Sequence, residues 1–396
     1  MSGKREVVVL SGVRTAIGDY GGALKDLAPI ELAAQVIREA VKRAKVDAKE
    51  VGACVIGNVI HTETRDMYFS RVAALKGGLP EESTALTVNR LCGSGLQAIV
   101  SASQMIILGD ADIAVGGGAE SMSRGGYLMP TLRWGQRMSD GAVVDMMVGA
   151  LTDPFDTVHM GITAENIAEQ WKISREQQDE FSVESHRRAI NAIEKGYFKD
   201  QILPIELKTR KGTTVFDRDE HPRADTSIEG LAKLRAAFKK DGSVTAGNAS
   251  GINDGAAAVV LMERAAAEKK GLKPMARLVS YGIAGVDPKI MGIGPVPASK
   301  KALERAGLKV EQMDVIESNE AFAVQALAVN CDLKLDPKKT NPNGGAVGLG
   351  HPIGATGAVL TVKALYELQR TGGKYALVTM CIGGGQGISA VFERLN

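Results

Sequence analysis

Aromatic side chains are scarce in this chain, at 4% of 396 residues, and the formal net charge is only +2. A surface that binds nucleic acid combines a basic stripe with aromatic platforms, so this composition argues against such a partner. No apolar run reaches the roughly 18 residues that a membrane-spanning helix requires. The first residues lead into a strand-like VVVL run without the apolar region of a signal peptide, which favours a cytoplasmic protein.

Cysteine is also rare, with four residues: Cys54, Cys92, Cys331 and Cys381. None belongs to a CxxC pair, and none lies at zinc-ligand spacing from a histidine. We therefore expect neither a structural disulfide nor a metal site. Hydrophobic residues, at 44%, are abundant enough to build a packed core.

Glycine, by contrast, is abundant, with 46 residues that cluster in a few segments. The two ends of the chain also repeat one pattern. Residues 29–58 and 297–319 each contain a helix that starts at a proline, then a turn, and then a strand that ends in asparagine. Cys92 and His351 each precede an apolar helix and a further strand. This alternation predicts an α/β fold with parallel sheets flanked by helices.

The middle of the chain differs from both ends in its amino-acid composition. It begins rich in Met and Arg and becomes helical, with a SREQ segment at 174–177 that is typical of a capping box. The stretch 208–240 carries nine Lys or Arg and five Asp or Glu. This excess of positive charge indicates either a solvated surface or a binding surface for a polyanionic ligand. The predicted units are residues 1–121 with about 251–274, an inserted loop domain at 122–250, and residues 275–396.

Cys92 lies in the segment VNRLCGSGLQAIV, between a polar run and an apolar helix. The GSGLQA part fits the G-x-G-x-x-A pattern of dinucleotide binding, which would make the cysteine incidental. A thiol at a helix N-terminus instead meets the positive end of the helix dipole, which favours the reactive thiolate. A small buried thiol is the third interpretation. The segment alone leaves all three open.

A catalytic thiol needs a base, and five histidines are available. His186 lies in the charged SHRR run, which predicts a solvated side chain, and His221 lies in a loop. His351 differs because six glycines and two prolines surround it in NPNGGAVGLGHPIGATGA, which indicates close approach of a ligand or another backbone. Cys381 and Asn319 both follow predicted strands, where α/β sheets place their sites, although Asn319 is also typical of a helix N-cap.

Four segments in this order, NRLCGSGLQA, NEAFA, GHPIGATGA and CIGGGQG, make the chain resemble the thiolase family, and within it the bacterial biosynthetic type. The resemblance covers nearly the whole chain, including VHMGITAEN and AGNASGINDGAA. It implies the thiolase fold, in which two similar α/β halves stack as α-β-α-β-α layers and carry an inserted loop domain. It also implies reversible Claisen condensation of two acetyl-CoA molecules, or of acyl-CoA with acetyl-CoA, to a 3-ketoacyl-CoA and CoA.

The same resemblance implies roles for individual residues. Cys92 is acylated with His351 as its base, and Cys381 removes and later returns a proton at the second acetyl-CoA. One oxyanion hole combines His351 with a water held by Asn319, and the other uses the backbone N–H groups of Cys92 and Gly383. No metal or redox cofactor is required, and the family pattern is a homotetramer built as a dimer of dimers.

Coenzyme A contacts are implied mainly in the insertion. Ser250 and His159 would contact the pantetheine arm, and Arg223 would contact a phosphate at the adenosine end. Further residues are implied along the tunnel and the acyl pocket: Leu151, Met160, Phe238, Ala246, Ala321, Phe322 and Met291.

Two other functions share parts of this pattern. A 3-ketoacyl-carrier-protein synthase would use Cys92 as its nucleophile but would have no need of a second cysteine at 381. A thiolase-like scaffold that only binds acyl-CoA, or a partner protein, would not need the whole set of Cys92, His351, Cys381 and Asn319. The complete set therefore favours the condensing enzyme over both.

Overall fold

A computed structural model of the protein describes residues 5–209 and 212–395, so positions 210 and 211 of the basic stretch lie outside the described residues. The strands are β1 (Val7–Thr15), β2 (Gly18–Asp19), β3 (Ala53–Gly57), β4 (Thr84–Val88), β5 (Ile113–Ser121), β6 (Tyr127–Leu128), β7 (Val144–Asp145), β8 (Ile202–Leu203), β9 (Ile205–Thr209), β10 (Gly212–Phe216), β11 (Asn253–Glu263), β12 (Ala276–Gly285), β13 (Val315–Ser318), β14 (Tyr375–Ile382) and β15 (Gln386–Arg394).

The α-helices are α1 (Pro29–Ala44), α2 (Phe69–Lys76), α3 (Ser94–Leu108), α4 (Met146–Ala150), α5 (Met160–Trp171), α6 (Arg175–Glu194), α7 (Ile228–Ala232), α8 (Arg264–Lys269), α9 (Pro295–Ala306), α10 (Ala323–Leu333), α11 (Ala346–Leu349) and α12 (Ile353–Thr371). Short 3-10 helices lie at Ala48–Glu50, Thr64–Tyr68, Met122–Arg124, Leu132–Trp134, Pro288–Ile293 and Val310–Gln312.

Most strands form one sheet in the order β13-β14-β15-β12-β1-β11-β5-β3-β4. The two halves of the chain meet where β1 pairs with β12, through Val8↔Arg277 and Val9↔Ala276. β3 runs parallel to β4 and β5, and β13 runs parallel to β14, as predicted. The prediction is wrong for the other main pairs, because β11 is antiparallel to β1 and β5, and β15 is antiparallel to β14 and β12. For β14 and β15 the reason is the turn at 383–385, which is too short for the crossover that parallel strands need.

The helices complete a stack of five layers. α3 and α12 pack against each other between the strands of the two halves, while α1 covers β1 and β11, and α9 covers β12 and β15. At the centre the two helices nearly touch. A Cβ atom on Gly95 would lie 2.7 Å from the backbone nitrogen of Ala358, so a side chain has no room there. The layers are therefore held together through the helix that follows Cys92 and the helix that follows His351.

This contact also decides the dinucleotide interpretation. Gly95 is the second glycine of the GSGLQA segment, the one that lets a pyrophosphate approach the backbone in a dinucleotide site. In this fold the space beside Gly95 is filled by the backbone of α12. The dinucleotide interpretation is therefore wrong.

The window Leu91–Leu108, which contains α3 and the turn before it, has 18 residues and is long and apolar enough to cross a membrane by composition. The expectation that no apolar run reaches this length is therefore wrong. The window consists mostly of α3, it is 61% buried within the fold, and the helix packs on α12 and β5. A helix in the central layer is covered from both sides, which explains why it is apolar nearly all round.

The residues between β5 and β11 lie over the second half of the chain. β11 fills the place between β1 and β5, whereas α5 and α6 pack on α10. α6 begins at the predicted capping box, in which Ser174 and Gln177 bond each other's backbone N–H groups, so that prediction is confirmed. The helices α5 and α6 thus stand beside the strand end that precedes α10.

Candidate active site

Cys92 lies in the turn between β4 and α3, two residues before the helix begins. The Ser94 hydroxyl holds this turn by accepting a hydrogen bond from the Arg90 N–H at 2.8 Å and donating one to the Leu91 carbonyl at 2.7 Å. Leu91 has a φ of +42°, in the left-handed region that side chains rarely adopt. The turn thereby presents a thiol that is 7% exposed at the N-terminal end of α3.

Cys381 lies near the end of β14 and is fully buried. Its neighbour Ile382 packs on Gly93, the neighbour of Cys92. A Cβ atom on Gly93 would lie 2.5 Å from Ile382 Cδ1, so a side chain at position 93 would push the two segments apart. The two thiol-bearing segments, one from each half of the chain, are therefore in direct contact.

Asn319 lies beside the end of β14 that carries Cys381. It follows β13, and its backbone N–H donates to the Thr379 carbonyl of β14 at 2.9 Å. Because β13 and β14 are parallel, their ends bring Asn319 close to Cys381. The N-cap interpretation of Asn319 is wrong, since Phe322 occupies that position at the start of α10.

His351 precedes α12 and is 4% exposed. Its backbone N–H donates to Asn253 Oδ1 at 2.8 Å, and its ring Nδ1 lies 2.6 Å from Thr356 Oγ1. The other ring nitrogen, Nε2, lies 3.4 Å from the side-chain nitrogen of Asn319. Burial lowers the pKa of His351 to about 4, so at neutral pH the ring is uncharged and one of its nitrogens can accept a proton.

Burial raises the pKa of Cys92 to about 11, because loss of solvent around a thiolate outweighs hydrogen bonds from the backbone N–H groups of Gly383 and Cys92 itself. Burial therefore leaves the resting Cys92 as a thiol, although it lies at the N-terminal end of α3. Burial also raises the pKa of Cys381, and charge on Cys92 raises it further. The resting centre thus holds two neutral thiols and a neutral imidazole.

Hydrogen-bond donors face the Cys92 sulfur. They are the backbone N–H groups of Gly383 and of Cys92. Met160 and Leu91 pack against the Gly383 backbone and shield it. On the other side, Asn319 Oδ1 is buried without a hydrogen-bond partner among the described residues, so it retains lone pairs for an O–H group. The centre can therefore stabilise negative charge at an oxygen near the sulfur.

An apolar wall lies next to this centre. His159 caps α5 by accepting a hydrogen bond at Nδ1 from the Gly161 N–H at 3.0 Å, and its ring stacks on Phe238 with centroids 4.5 Å apart. Phe238 meets Phe322 edge to face at 6.2 Å. The same buried cluster contains Met160, Met291 and Ala321.

Backbone hydrogen bonds tie two more predicted residues to this wall. The Ser250 N–H donates to the Ala321 carbonyl at 3.0 Å, and the Met160 N–H donates to the Leu151 carbonyl at 2.8 Å. These bonds attach Ser250 and Leu151 to the apolar wall that contains Ala321 and Met160.

A cavity of about 330 Å³ opens beside the wall, bordered by Ala249, which pairs with Phe322. Arg223 and Ala246 line it, together with His186 and His221, whose rings stack with centroids 6.0 Å apart. The prediction of a solvated His186 is wrong, because its side chain is 6% exposed and burial lowers its pKa to about 4.

Sequence reasoning missed the positions of these two histidines, and of Asn253 and Thr356 around His351. For His186 a signal exists: Ser182, Ser185, His186 and Ala189 follow helical spacing and form one buried face of α6. Asn253 and Thr356 lie within the AGNASGINDGAA and GHPIGATGA segments, but neither segment indicates by itself that these side chains contact His351. Among the described residues, no group of three or more His, Cys, Asp or Glu side chains is arranged to hold a metal ion.

A duplicated α/β scaffold brings two thiols, an imidazole and an amide together at the ends of its strands. Comparisons with known proteins give its family. Residues 7–265 match the family model described as Thiolase, N-terminal domain, and residues 272–394 match Thiolase, C-terminal domain. The chain belongs to the thiolase family.

Individual relatives cover nearly the full chain. The sequence is 68% identical to Beta-ketothiolase BktB of Cupriavidus necator over 99% of this chain and 100% of that one. The crystal structure of the Bacillus anthracis acetyl-CoA acetyltransferase superposes with a TM-score of 0.97 at 50% identity, covering 99% of both chains. Human mitochondrial 3-ketoacyl-CoA thiolase in complex with CoA superposes with a TM-score of 0.96 at 45% identity, covering 99% of this chain and 98% of that one. The predicted thiolase fold is confirmed.

Proposed function

We propose that the protein catalyses the reversible condensation of two acetyl-CoA molecules, or of an acyl-CoA with acetyl-CoA, to a 3-ketoacyl-CoA and CoA. The observation that carries this proposal is the contact of Gly93 with Ile382, which sets Cys92 beside Cys381. Condensation needs a thiol that carries the acyl group and a base that acts on the second thioester. The names of the relatives, Beta-ketothiolase and acetyl-CoA acetyltransferase, agree with this reaction.

In the first half-reaction, Cys92 attacks the acyl-CoA carbonyl. Its thiol is neutral, so the proton must leave as the S–C bond forms, and His351 accepts it. The C–S bond to CoA breaks, and Cys381 donates its proton to the departing CoA thiolate. The products are free CoA, acyl-Cys92, a protonated His351 and a Cys381 thiolate, so charge and protons balance.

In the second half-reaction, the Cys381 thiolate removes a proton from the methyl group of a bound acetyl-CoA. Burial raises the pKa of Cys381, which makes its thiolate a strong base for a weakly acidic C–H group. The resulting carbanion attacks the acyl-Cys92 carbonyl and forms the new C–C bond. Cys92 leaves as a thiolate and recovers its proton from His351.

Two oxyanions form along this path. The backbone N–H groups of Cys92 and Gly383 face the sulfur, which supports a role in stabilising the acyl-Cys92 tetrahedral intermediate. The Oδ1 lone pairs of Asn319 can hold a water. This water and His351 would together stabilise the enolate oxygen of the second acetyl-CoA. These steps use side chains and backbone alone, with coenzyme A thioesters as substrates and no further cofactor.

Coenzyme A would lie along the insertion at 122–250, the loop domain between the halves formed by 1–121 with about 251–274 and by 275–396. The pantetheine arm would pass His159 and Ser250 beside the Phe238 wall, and Arg223 would meet a phosphate in the 330 Å³ cavity. The tunnel towards Cys92 would be lined by Leu151, Met160, Ala246, Ala321 and Phe322, with Met291 at the acyl pocket.

The assembly would be a homotetramer in the cytoplasm. Support for assembly comes from the exposed apolar side chains at the start of the insertion, including Tyr127, Leu132 and Trp134, of which Trp134 is 86% exposed. Support for a reducing compartment comes from the four free cysteines, two of which are used as thiols.

A substrate test separates this reaction from carrier-protein condensation. Purified protein is mixed with acetyl-CoA alone, and acetoacetyl-CoA and CoA are quantified by mass spectrometry, with the reverse thiolysis followed in parallel. The proposal requires turnover without carrier protein or malonyl donor. Activity that appears only with a malonyl carrier-protein donor would assign the chain to the synthase class instead.

A further inference from the structure

Thr356 lies in the first turn of α12, five residues after His351, and is 2% exposed. Its hydroxyl oxygen lies 2.6 Å from Nδ1 of His351 and 2.9 Å from the carbonyl oxygen of Pro352. A hydroxyl has one proton to donate, and a carbonyl oxygen can only accept. Donation to the carbonyl four residues back is the usual bond of a buried helix threonine, and Thr361 makes the same bond to Gly357. With its proton directed to Pro352, the Thr356 oxygen accepts towards His351.

An accepting oxygen at Nδ1 places the ring proton on Nδ1. Burial lowers the pKa of His351 to about 4, so the ring holds a single proton and Nε2 carries a lone pair. Asn319 gives an independent indication from another element. Its Nδ2 group, a donor, lies 3.4 Å from Nε2, where it faces an acceptor. Contacts on both sides of the ring thus select the same tautomer.

We propose that Thr356 is a positioning residue that fixes His351 in the Nδ1–H tautomer and keeps Nε2 free to accept the Cys92 proton. The inference rests on the proposed function of His351. When the S–H bond of Cys92 breaks, its proton forms the N–H bond at Nε2. The imidazolium still donates from Nδ1 to the same Thr356 oxygen, so neither hydroxyl nor ring has to rotate during the transfer.

The chain offers a matched control on the same helix. Thr361 is 0% exposed and donates its hydroxyl proton to the Gly357 carbonyl at 2.8 Å, the same bond four residues back that Thr356 makes to Pro352. Thr361 is therefore the site at which to remove a buried hydroxyl of this kind without removing a contact to His351. Thr356→Val and Thr361→Val remove the same hydroxyl from two buried positions of one helix.

The direct test is the nitrogen NMR spectrum of protein carrying ¹⁵N-labelled histidine, with the His351 signals identified by their loss in His351→Asn. Wild type, Thr356→Ser and Thr361→Val should show a protonated Nδ1 and an unprotonated Nε2. Thr356→Val should shift the proton partly or wholly to Nε2. If the Thr356→Val protein does not fold, Thr356→Ala serves as the second variant. A wild-type ring protonated at Nε2, or an unchanged tautomer in both Thr356→Val and Thr356→Ala, overturns the proposal.

Kinetics give a second readout. Thr356→Val should slow Cys92 acylation by acetyl-CoA about 100-fold or more, the usual contribution of a general base, with KM within about twofold. Thr356→Ser should recover most of the rate, and Thr361→Val should match wild type in rate and in the pH profile. An equal loss in Thr356→Val and Thr361→Val would reduce Thr356 to a structural role. Failure of wild type to acylate Cys92 would instead contradict the proposed function, while the NMR result would stand by itself.

Discussion

Gly93 lies so close to Ile382 that a Cβ atom at position 93 would be 2.5 Å from Ile382 Cδ1. These residues neighbour Cys92 and Cys381, which come from different halves of the chain. The separation of the two thiols therefore depends on the absence of one methyl group. This relationship gives the first prediction.

Gly93→Ala should force the Cys92 turn away from β14. We expect condensation to slow about 10- to 100-fold, since misplacement of a reacting group by about 1 Å can cost that much. The free energy of unfolding should fall by about 1–3 kcal/mol, as is usual for overpacking a buried site. Steady-state kinetics and urea titration measure both effects.

Ile382→Val removes Cδ1, the atom nearest to an alanine at position 93, and leaves Cγ1 at 2.9 Å. In the double variant Gly93→Ala with Ile382→Val, part of the lost rate and stability should return, giving a coupling free energy of about 0.5–3 kcal/mol. Strictly additive effects of the two substitutions would show that this contact does not set the thiol separation.

Cys381→Ala should separate the two half-reactions. Cys92 should still be acetylated, because a CoA thiolate can leave without the Cys381 proton. Exchange of the methyl protons of acetyl-CoA with deuterated water should fall by about 100-fold or more, the range expected for loss of a general base. Mass spectrometry of acetyl-CoA measures the exchange, and undiminished exchange would remove Cys381 from the role of base.

The burial of a neutral His351 should make stability depend on pH. The pKa of histidine is about 6.5 in an unfolded chain and about 4 at His351, so the unfolded chain binds more protons between these values. The contribution is complete above pH 6.5 and is lost as pH falls, by about 2 kcal/mol at pH 5. Urea unfolding of wild type and His351→Asn at pH 7 and pH 5 measures the difference.

The comparison needs a second histidine variant. His61 is exposed, so His61→Asn should keep the wild-type dependence on pH, whereas His351→Asn should lose less stability on acidification. If wild type and His351→Asn change in parallel, His351 is not buried as a neutral ring.

Arg223→Ala should weaken binding of coenzyme A at its adenosine end. We expect KM for acetyl-CoA to rise about 10- to 100-fold, the size of one lost charge-assisted hydrogen bond, with little change in kcat. With acetyl-pantetheine, a thioester that lacks the adenosine phosphates, the variant should match wild type. Arg187 is exposed and paired with Glu184, so Arg187→Ala serves as the control. It should leave KM unchanged for both acetyl-CoA and acetyl-pantetheine.

Much of the architecture could be predicted from the sequence because it depends on local patterns. The proline-started helix α1, the capping box at Ser174 and the repeat of helix and strand in both halves are encoded by neighbouring residues. The antiparallel strands could not be predicted in this way. Their direction depends on where β11 re-enters the sheet after a long excursion and on the tight turn after β14, which are non-local facts.

The candidate site also has some features that the sequence predicts and others that it does not. Cys92, His351, Cys381 and Asn319 stand in distinctive glycine-rich or strand-end segments, so their importance is visible in the sequence. Their ionisation is not, because it depends on burial by residues far along the chain, and for Cys92 this burial outweighs the hydrogen bonds from the backbone N–H groups of Gly383 and Cys92. The contact of Asn253 with His351 likewise follows from packing between elements that are far apart in the chain.

The central claim is that Cys92 carries the acyl group. The protein is mixed with acetyl-CoA, and the reaction is quenched at low pH. The intact protein and its peptides are then analysed by mass spectrometry, with Cys92→Ala and Cys331→Ala as variants. The account predicts one acetyl group on Cys92, absent in Cys92→Ala and retained in Cys331→Ala. An acetyl group on Cys54 or Cys331, or no adduct on Cys92 while condensation proceeds, would contradict it.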